Sequence, residues 1–272
     1  GSPSAERCGS DERRRLNMKV DAVVLAGAPN NGQLKEVNGE KWEATIPIHG
    51  KPMVNYVIES LQNSKTVENL IVVAPLEIKD SLPPHVTVVQ SGDTLTENVF
   101  IALEALEKKN MMLLVTSDIP FIHPEAIDDF VGRCAELDGE VYYPLISKEA
   151  NQQVYPETVR TYFRLKEGTF TGGNALMASP EAIANSRWIM DEVIFKRKQP
   201  WKIFRLLGLK FIIKFLTKQL TLQEIEKRAS GILGYKGILI ISPYPELGTD
   251  VDKPSDLALA TRLIGSVQGK EA

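Results

Sequence analysis

The sequence predicts a three-layer α/β fold: a mostly parallel β-sheet with helices on both faces and a helical insertion. Three observations carry this. Short apolar runs of strand length (Val23–Leu25, Leu70–Val73, Val86–Val89, Met111–Val115) alternate with amphipathic segments of helix length. Three of these runs lead into turns that carry Gly27, Gly92 and Asp118. In such sheets ligands sit beyond the carboxyl ends of the strands, so these turns converge on one candidate site. The 272 residues, 43% of them hydrophobic, suffice for one sizeable core.

Taken in order, residues 1–17 are polar, begin Gly-Ser and lack an apolar signal run. They read as a leader or tag without structure, with Met18 as the native start. The first strand ends in Leu25-Ala26-Gly27-Ala28, and Gly32 follows closely. Low side-chain bulk there lets amide N–H groups face a phosphate. The spacing fits neither GxGxxG nor GxxxxGK[ST]. A long polar loop to Ile46 is expected to lie over this turn. Pro52 then opens a helix with Val54, Val57, Ile58 and Leu61 as its buried stripe.

Asp93 is the expected N-cap of a helix over Val99–Lys108, and another helix runs from Pro124 to Leu137. Val141–Leu145 and Val159–Leu165 read as strands. Period 2 puts Arg160, Arg164 and Lys166 on one face, suited to a phosphate or to a solvated edge. Gly172-Gly173-Asn174 reads as a turn before Ala175. A helical subdomain is expected at about 180–235, then a strand over Ile238–Ile241 and a last helix opened near Pro254. The domain is thus placed at 18–265, with 266–272 as a tail.

The net charge of −3 argues against nucleic acid as a partner. No apolar run reaches the roughly 20 residues of a membrane span. Cys8 and Cys134 are too few and too far apart in sequence for a disulfide framework or zinc cluster, so a reducing cytoplasm is the expected location. His49, His85 and His123 show no metal-like pairing. Residues 195–218 carry eight Lys or Arg and no Asp or Glu. On a helix, Phe204, Leu207, Phe211 and Phe215 share a face, and Lys202, Arg205 and Lys210 lie off it. That suits a peripheral membrane contact anchored by Trp201, or a helix packed on the core or across a homodimer seam. Apolar residues beyond a single stripe favour packing.

LAGAPNNG (25–32), GKPM (50–53), SGD-x4-N (91–98), TSDIPFI (116–122), FTGGN (170–174) and DVDKPSDL (250–257) occur in one order. Together they resemble the MobA-like nucleotidyltransferases, which are GT-A-like and Rossmann-related, over about 18–180 and 236–265. The resemblance implies attack by an acceptor phosphate on the α-phosphorus of an NTP, CTP or GTP before ATP, with loss of pyrophosphate. It implies Mg²⁺ or Mn²⁺ at Asp118 and Asp252, with Asp250 adjacent. It implies nucleotide contacts from Leu25, Ala26, Gly27, Ala28, Gly32, Gly92, Asp93 and Asn98. Gly172, Gly173, Asn174 and Arg164 are the implied acceptor contacts, and Lys51 and Lys35 the catalytic cations. Asp118 and Asp252 also suit turn or capping roles, and the Gly pair suits a tight turn.

Two positions depart from that pattern. Only Lys35 stands near where the family loop carries Arg, and Glu43 stands where the family tends to place Lys. A carboxylate facing a triphosphate is repulsive unless it binds a metal or points away. A glycosyltransferase using an NDP-sugar and a catalytically silent nucleotide binder therefore remain alternatives.

Overall fold

The computed structural model describes residues 18–107, 110–196 and 208–271. Its main sheet has nine strands: β1 (Val20–Leu25), β4 (Val67–Ala74), β5 (Thr87–Gln90), β6 (Met111–Thr116), β7 (Val141–Ser147), β8 (Phe163–Arg164), β9 (Thr169–Gly172), β10 (Ala175–Ala178) and β11 (Gly237–Ser242). A small antiparallel hairpin, β2 (Pro47–Ile48) and β3 (Lys51–Pro52), stands apart. The strand order is β5-β4-β1-β6-β10-β7-β9-β8, with β11 beside β7. The β5/β4/β1/β6 block is parallel, as is β7/β11.

The second half brings antiparallel pairing. β10 runs against both β6 and β7, and β9 runs against β7. β9 and β10 therefore form one strand that bends. From Gly172↔Leu145 to Met177↔Tyr142 it advances five residues against three on β7. Gly172-Gly173-Asn174 is thus a bulge in a continuous strand, where the sequence reads as a turn between two. Bulges re-aim side chains beside functional sites.

Alternation along β1 divides the core. Ala22 and Val24 face one cluster, completed by Val54, Val57, Ile58 and Leu61 of α1 (Met53–Asn63). Ala126, Ile127, Phe130 and Val131 of α3 (Pro124–Ala135) close the same face. Val23 faces the other cluster, with Val99, Ala102 and Leu103 of α2 (Leu95–Ala105). Ile183 of α5 (Pro180–Asn185) and Met190 of α6 (Arg187–Lys196) complete it. The first part of the expected helical subdomain therefore belongs to the sheet's own outer layer.

α2 starts earlier than its apolar pattern indicates. Its N-cap is Thr94, not Asp93, because Thr94 and Glu97 form a reciprocal capping box. Val159–Leu165 is strand only at Phe163–Arg164. A turn closed by Thr158 N–H to the Tyr155 carbonyl bends the chain before Arg160, so Arg160, Arg164 and Lys166 do not share one strand face.

α7 (Leu209–Leu216) and α8 (Leu222–Leu233) cover the far end of the sheet. Phe211, Phe215 and Ile225 pack on Leu145, Leu165, Phe170 and Leu220, while Ile213 and Leu216 are exposed. Within 195–218, Trp201, Lys202, Phe204, Arg205 and Leu207 lie outside the described residues, as does the 1–17 leader. Among the described residues no helix is long and apolar enough to cross a membrane. The last helix, α9 (Pro254–Glu271), runs past the expected boundary at 265. α4 (Lys148–Val154) lies beside β7.

Candidate functional site

The turn after β1 is held close to the turn after β5. A Cβ on Gly27 would come within 2.9 Å of Asn98 Nδ2 and 3.0 Å of Ser91, so any larger residue would push these side chains aside. Asn98 is buried, and its Oδ1 accepts the Gly92 N–H at 2.8 Å. Asn98 thus ties the two turns together, and its acceptor is spent on the backbone. Asp93 is exposed, with its N–H donated to Glu97. Between these turns lies a cleft of about 470 Å³, lined by Gly27, Pro29, Trp42, Pro75, Gly92 and Asp93 among others.

The polar loop after Ala28 is a folded arm. Pro29 bridges Trp42, Asn30 N–H donates to the Lys41 carbonyl, and Glu43 N–H donates to the Ala28 carbonyl. The buried Asn30 side chain donates to the carbonyls of Asn38 and Glu40. Leu34 pins the arm into a satellite core with Ile46, Ile48, Met53, Val251 and Ala260. Trp42 and Lys41 both reach Glu77 across the cleft mouth. Gly32 lies 3.8 Å, measured from its would-be Cβ, from the Glu43 carboxylate. Lys35 is exposed on the same arm.

Asp118 follows β6, one strand along from Gly27. Thr116 Oγ1 donates to its carboxylate, and the Asn174 side chain supports it as well. Burial pushes the Asp118 acid up, these hydrogen bonds draw it down, and Asp252 pushes it up again. Asp252 arrives from a distant part of the chain because Val251 N–H donates to the Asp118 carbonyl at 2.8 Å. Glu43 completes the group. Its acid is pushed up to about 7, by burial first and then by the charges of Asp118 and Asp252. Three carboxyl groups from three segments therefore feel one another at the carboxyl edge of the sheet.

Glu43, read from the sequence as a repulsive substitution, sits inside this group. The signal for it was its position alone. Oxygen donors of this kind suit a hard divalent cation whose shell phosphates and waters complete. Among the described residues no set of three or more His, Cys, Asp or Glu could hold a metal ion.

Beyond Asp118 lies a second cleft of about 330 Å³, at the Gly173 bulge. Asn174 and Asp252 line it as well as facing Asp118, so it abuts the carboxylates. A Cβ on Gly173 would meet Pro144 at 2.7 Å and the Leu247 carbonyl at 3.0 Å. Tyr143 donates its hydroxyl to the Gly173 carbonyl at 2.8 Å, and Gly172 packs on the same ring.

Several expected site residues stand elsewhere. Asp250 is ion-paired with Arg160, whose guanidinium also donates to the Asp250 carbonyl at 3.0 Å. The Asp250 carboxylate thus faces the Arg160 guanidinium. Burial lowers the Arg160 pKa, opposed by Asp256, Asp118, Tyr162 and Asp252. Arg160, rather than the exposed Arg164, is thus the strand-region cation that faces the carboxylates. Lys51 is ion-paired with Glu59 and lies 4.2 Å from the Tyr56 ring centroid, so its charge is engaged outside the group. Leu25, Ala26 and Ala28 line the start of the glycine turn.

Comparison with known proteins follows this geometry. A model of the MobA-like NTP transferase domain matches residues 22–183. A solved structure described as a hypothetical transferase from Thermus thermophilus is 35% identical, with a TM-score of 0.79, covering 88% of this chain and all of that one. CMP:2-keto-3-deoxy-manno-octonic acid synthetase complexed with CTP shares the fold at a TM-score of 0.59 and 12% identity, over 92% of this chain and 99% of that one. The 2-C-methyl-D-erythritol 4-phosphate cytidylyltransferase of Clostridium beijerinckii is 27% identical over 118 residues, 40% of this chain and 50% of that protein. The chain thus spans about half the length of the curated relatives it matches.

Proposed function

The chain belongs to the MobA-like NTP transferase domain family, and from that premise we propose that it transfers a nucleoside monophosphate from an NTP to a phosphorylated acceptor. The observation that carries this reading is the order of features along the sheet edge. A cleft at β1/β4/β5, the carboxylate group at β6 and a second cleft at the β9/β10 bulge lie in line. Such a row suits a nucleotide, a reacting phosphate and an acceptor.

The acceptor phosphate oxygen attacks the α-phosphorus, and pyrophosphate leaves. The chain's task is to hold two anions together and aligned. Amides around Gly27, Ala28 and Gly32 face the triphosphate, with exposed Lys35 as the nearby cation. Gly92 and Asp93 meet the base, for which CTP is favoured and GTP comes next, since the curated relatives are cytidylyltransferases. Asp118 and Asp252 would hold Mg²⁺ or Mn²⁺, with Glu43 beside them, and the cation when bound offsets phosphate charge and polarises the α-phosphoryl group. Thr116 and Asn174 fix the Asp118 carboxylate, and Arg160 clamps Asp250 so that the neighbouring Asp252 faces Asp118. Gly172 and Asn174 border the acceptor.

The engagement of Lys51 by Glu59 favours one second reading, a catalytically silent nucleotide binder. Both are tested by following pyrophosphate release with each NTP, Mg²⁺ and a pool of phosphorylated metabolites. Release that is lost in Asp118→Asn supports transfer. NTP binding by calorimetry without release from any pool overturns transfer in favour of the silent reading.

A further inference from the structure

We propose that the outer side of α7 rests on an anionic lipid surface as a reversible peripheral contact. The contact is independent of the nucleotidyl-transfer reading, since no described residue of α7 lines either cleft. α7 is packed by one side. Phe211 and Phe215 turn into the core formed by Leu145, Leu165, Phe170 and Leu220. Successive helical positions turn by about 100°, so Leu216, Ile213, Thr217, Lys210 and Lys214 follow one another around the opposite side. All five are exposed, Leu216 at 72% and Ile213 at 51%. Lys218, just past the helix end, is exposed as well. The outer side is therefore an apolar edge beside a basic one.

Single exposed aliphatic side chains are ordinary. Here two lie one turn apart and adjoin lysines. The surrounding sequence has the same bias: residues 195–218 carry eight Lys or Arg and no Asp or Glu, in a chain of net charge −3. Lys214 donates to Glu224 of α8, which leaves Lys210 and Lys218 without an ion pair among the described residues. A second copy of the chain is a poor occupant. A two-fold seam would set these lysines against themselves, and two aliphatic side chains fall far short of the area a stable dimer buries. A soluble polyanion would answer the lysines but leave Ile213 and Leu216 in water. An anionic bilayer answers both: headgroups take the charges and the acyl boundary takes the aliphatic side chains. So few groups give weak, salt-sensitive association.

The test mixes the full chain with vesicles of phosphatidylcholine, alone or with phosphatidylglycerol at two to one, and measures cosedimentation at low and high salt. Partition onto the anionic vesicles should exceed that onto the neutral ones by roughly 25-fold, from two unpaired lysines at about fivefold each. It should fall as salt rises. The double variant Lys210→Gln, Lys218→Gln should remove most of that difference. Leu216→Ser should weaken binding to the anionic vesicles by roughly tenfold, and Ile213→Ser by somewhat less. All four positions are exposed, so thermal unfolding of each variant should match the wild type. No binding to the anionic vesicles, equal partition onto both kinds, or binding that none of the variants moves overturns the inference. Binding that the lysine variant abolishes and neither serine variant moves overturns it in favour of a polyanion. A dimer in sedimentation equilibrium that Leu216→Ser dissociates, without vesicle binding, overturns it in favour of a second copy.

Discussion

Glu43 concentrates the chemistry of the site in one side chain. Folding raises its affinity for a proton, so its contribution to stability is fully present below its ordinary value of 4.5 and is lost as pH rises through about 7. The metal-free chain should therefore lose thermal stability across that window, and Glu43→Gln should flatten the loss and raise Tm at pH 8. A cation displaces the same proton, so Mg²⁺ should raise Tm more at pH 8 than at pH 6, and the variant should blunt that rise. Scanning fluorimetry at the two pH values, with Mg²⁺ or EDTA, reads both effects. Asp118→Asn should reduce pyrophosphate release by roughly 100-fold or more, on the scale of a lost electrostatic contact to the reacting group. Its fold should persist, as seen by circular dichroism. The place of Asp118 just past β6 was legible because it follows an apolar run. The place of Glu43 beside it was not, since 75 residues separate the two in the chain and only the folded arm joins them.

Elements were legible where one periodicity dominated. The stripe of α1 is buried as its spacing predicts, because a 3.6-residue period admits one inward face. Caps and bulges were less so, since they depend on backbone geometry. Thr94 caps α2 in place of Asp93, and Thr94→Ala should cost about 1 kcal/mol in urea unfolding. The Gly172-Gly173-Asn174 run reads as a turn until β7 is seen beside it on both sides. Gly173→Ala should destabilise by about 1–3 kcal/mol through contact with Pro144 and the Leu247 carbonyl. The same unfolding curves measure it, and acceptor KM should rise with it.

At the scale of the molecule, the polar arm after Ala28 and the last helix share a core. Leu34 of the arm packs with Val251 and Ala260, so the segment that carries Asp252 and the arm that carries Glu43 are seated together. Leu34→Ala should cost about 2–5 kcal/mol, and it should also weaken NTP binding in calorimetry, because a loosened arm no longer holds Glu43 at Asp118. The sequence by itself determined the α/β class, the first four parallel strands with their turns, and the order of motifs that resembles the family now identified. These rest on local periodicity and on spacing within short segments, which a linear string records. Only the tertiary structure decided that β9 and β10 run antiparallel to their neighbours, that Arg160 takes Asp250, that Lys51 is engaged by Glu59, and that two clefts flank one carboxylate group. Each of those depends on contacts between segments far apart in the chain, and burial and charge act through distance in space.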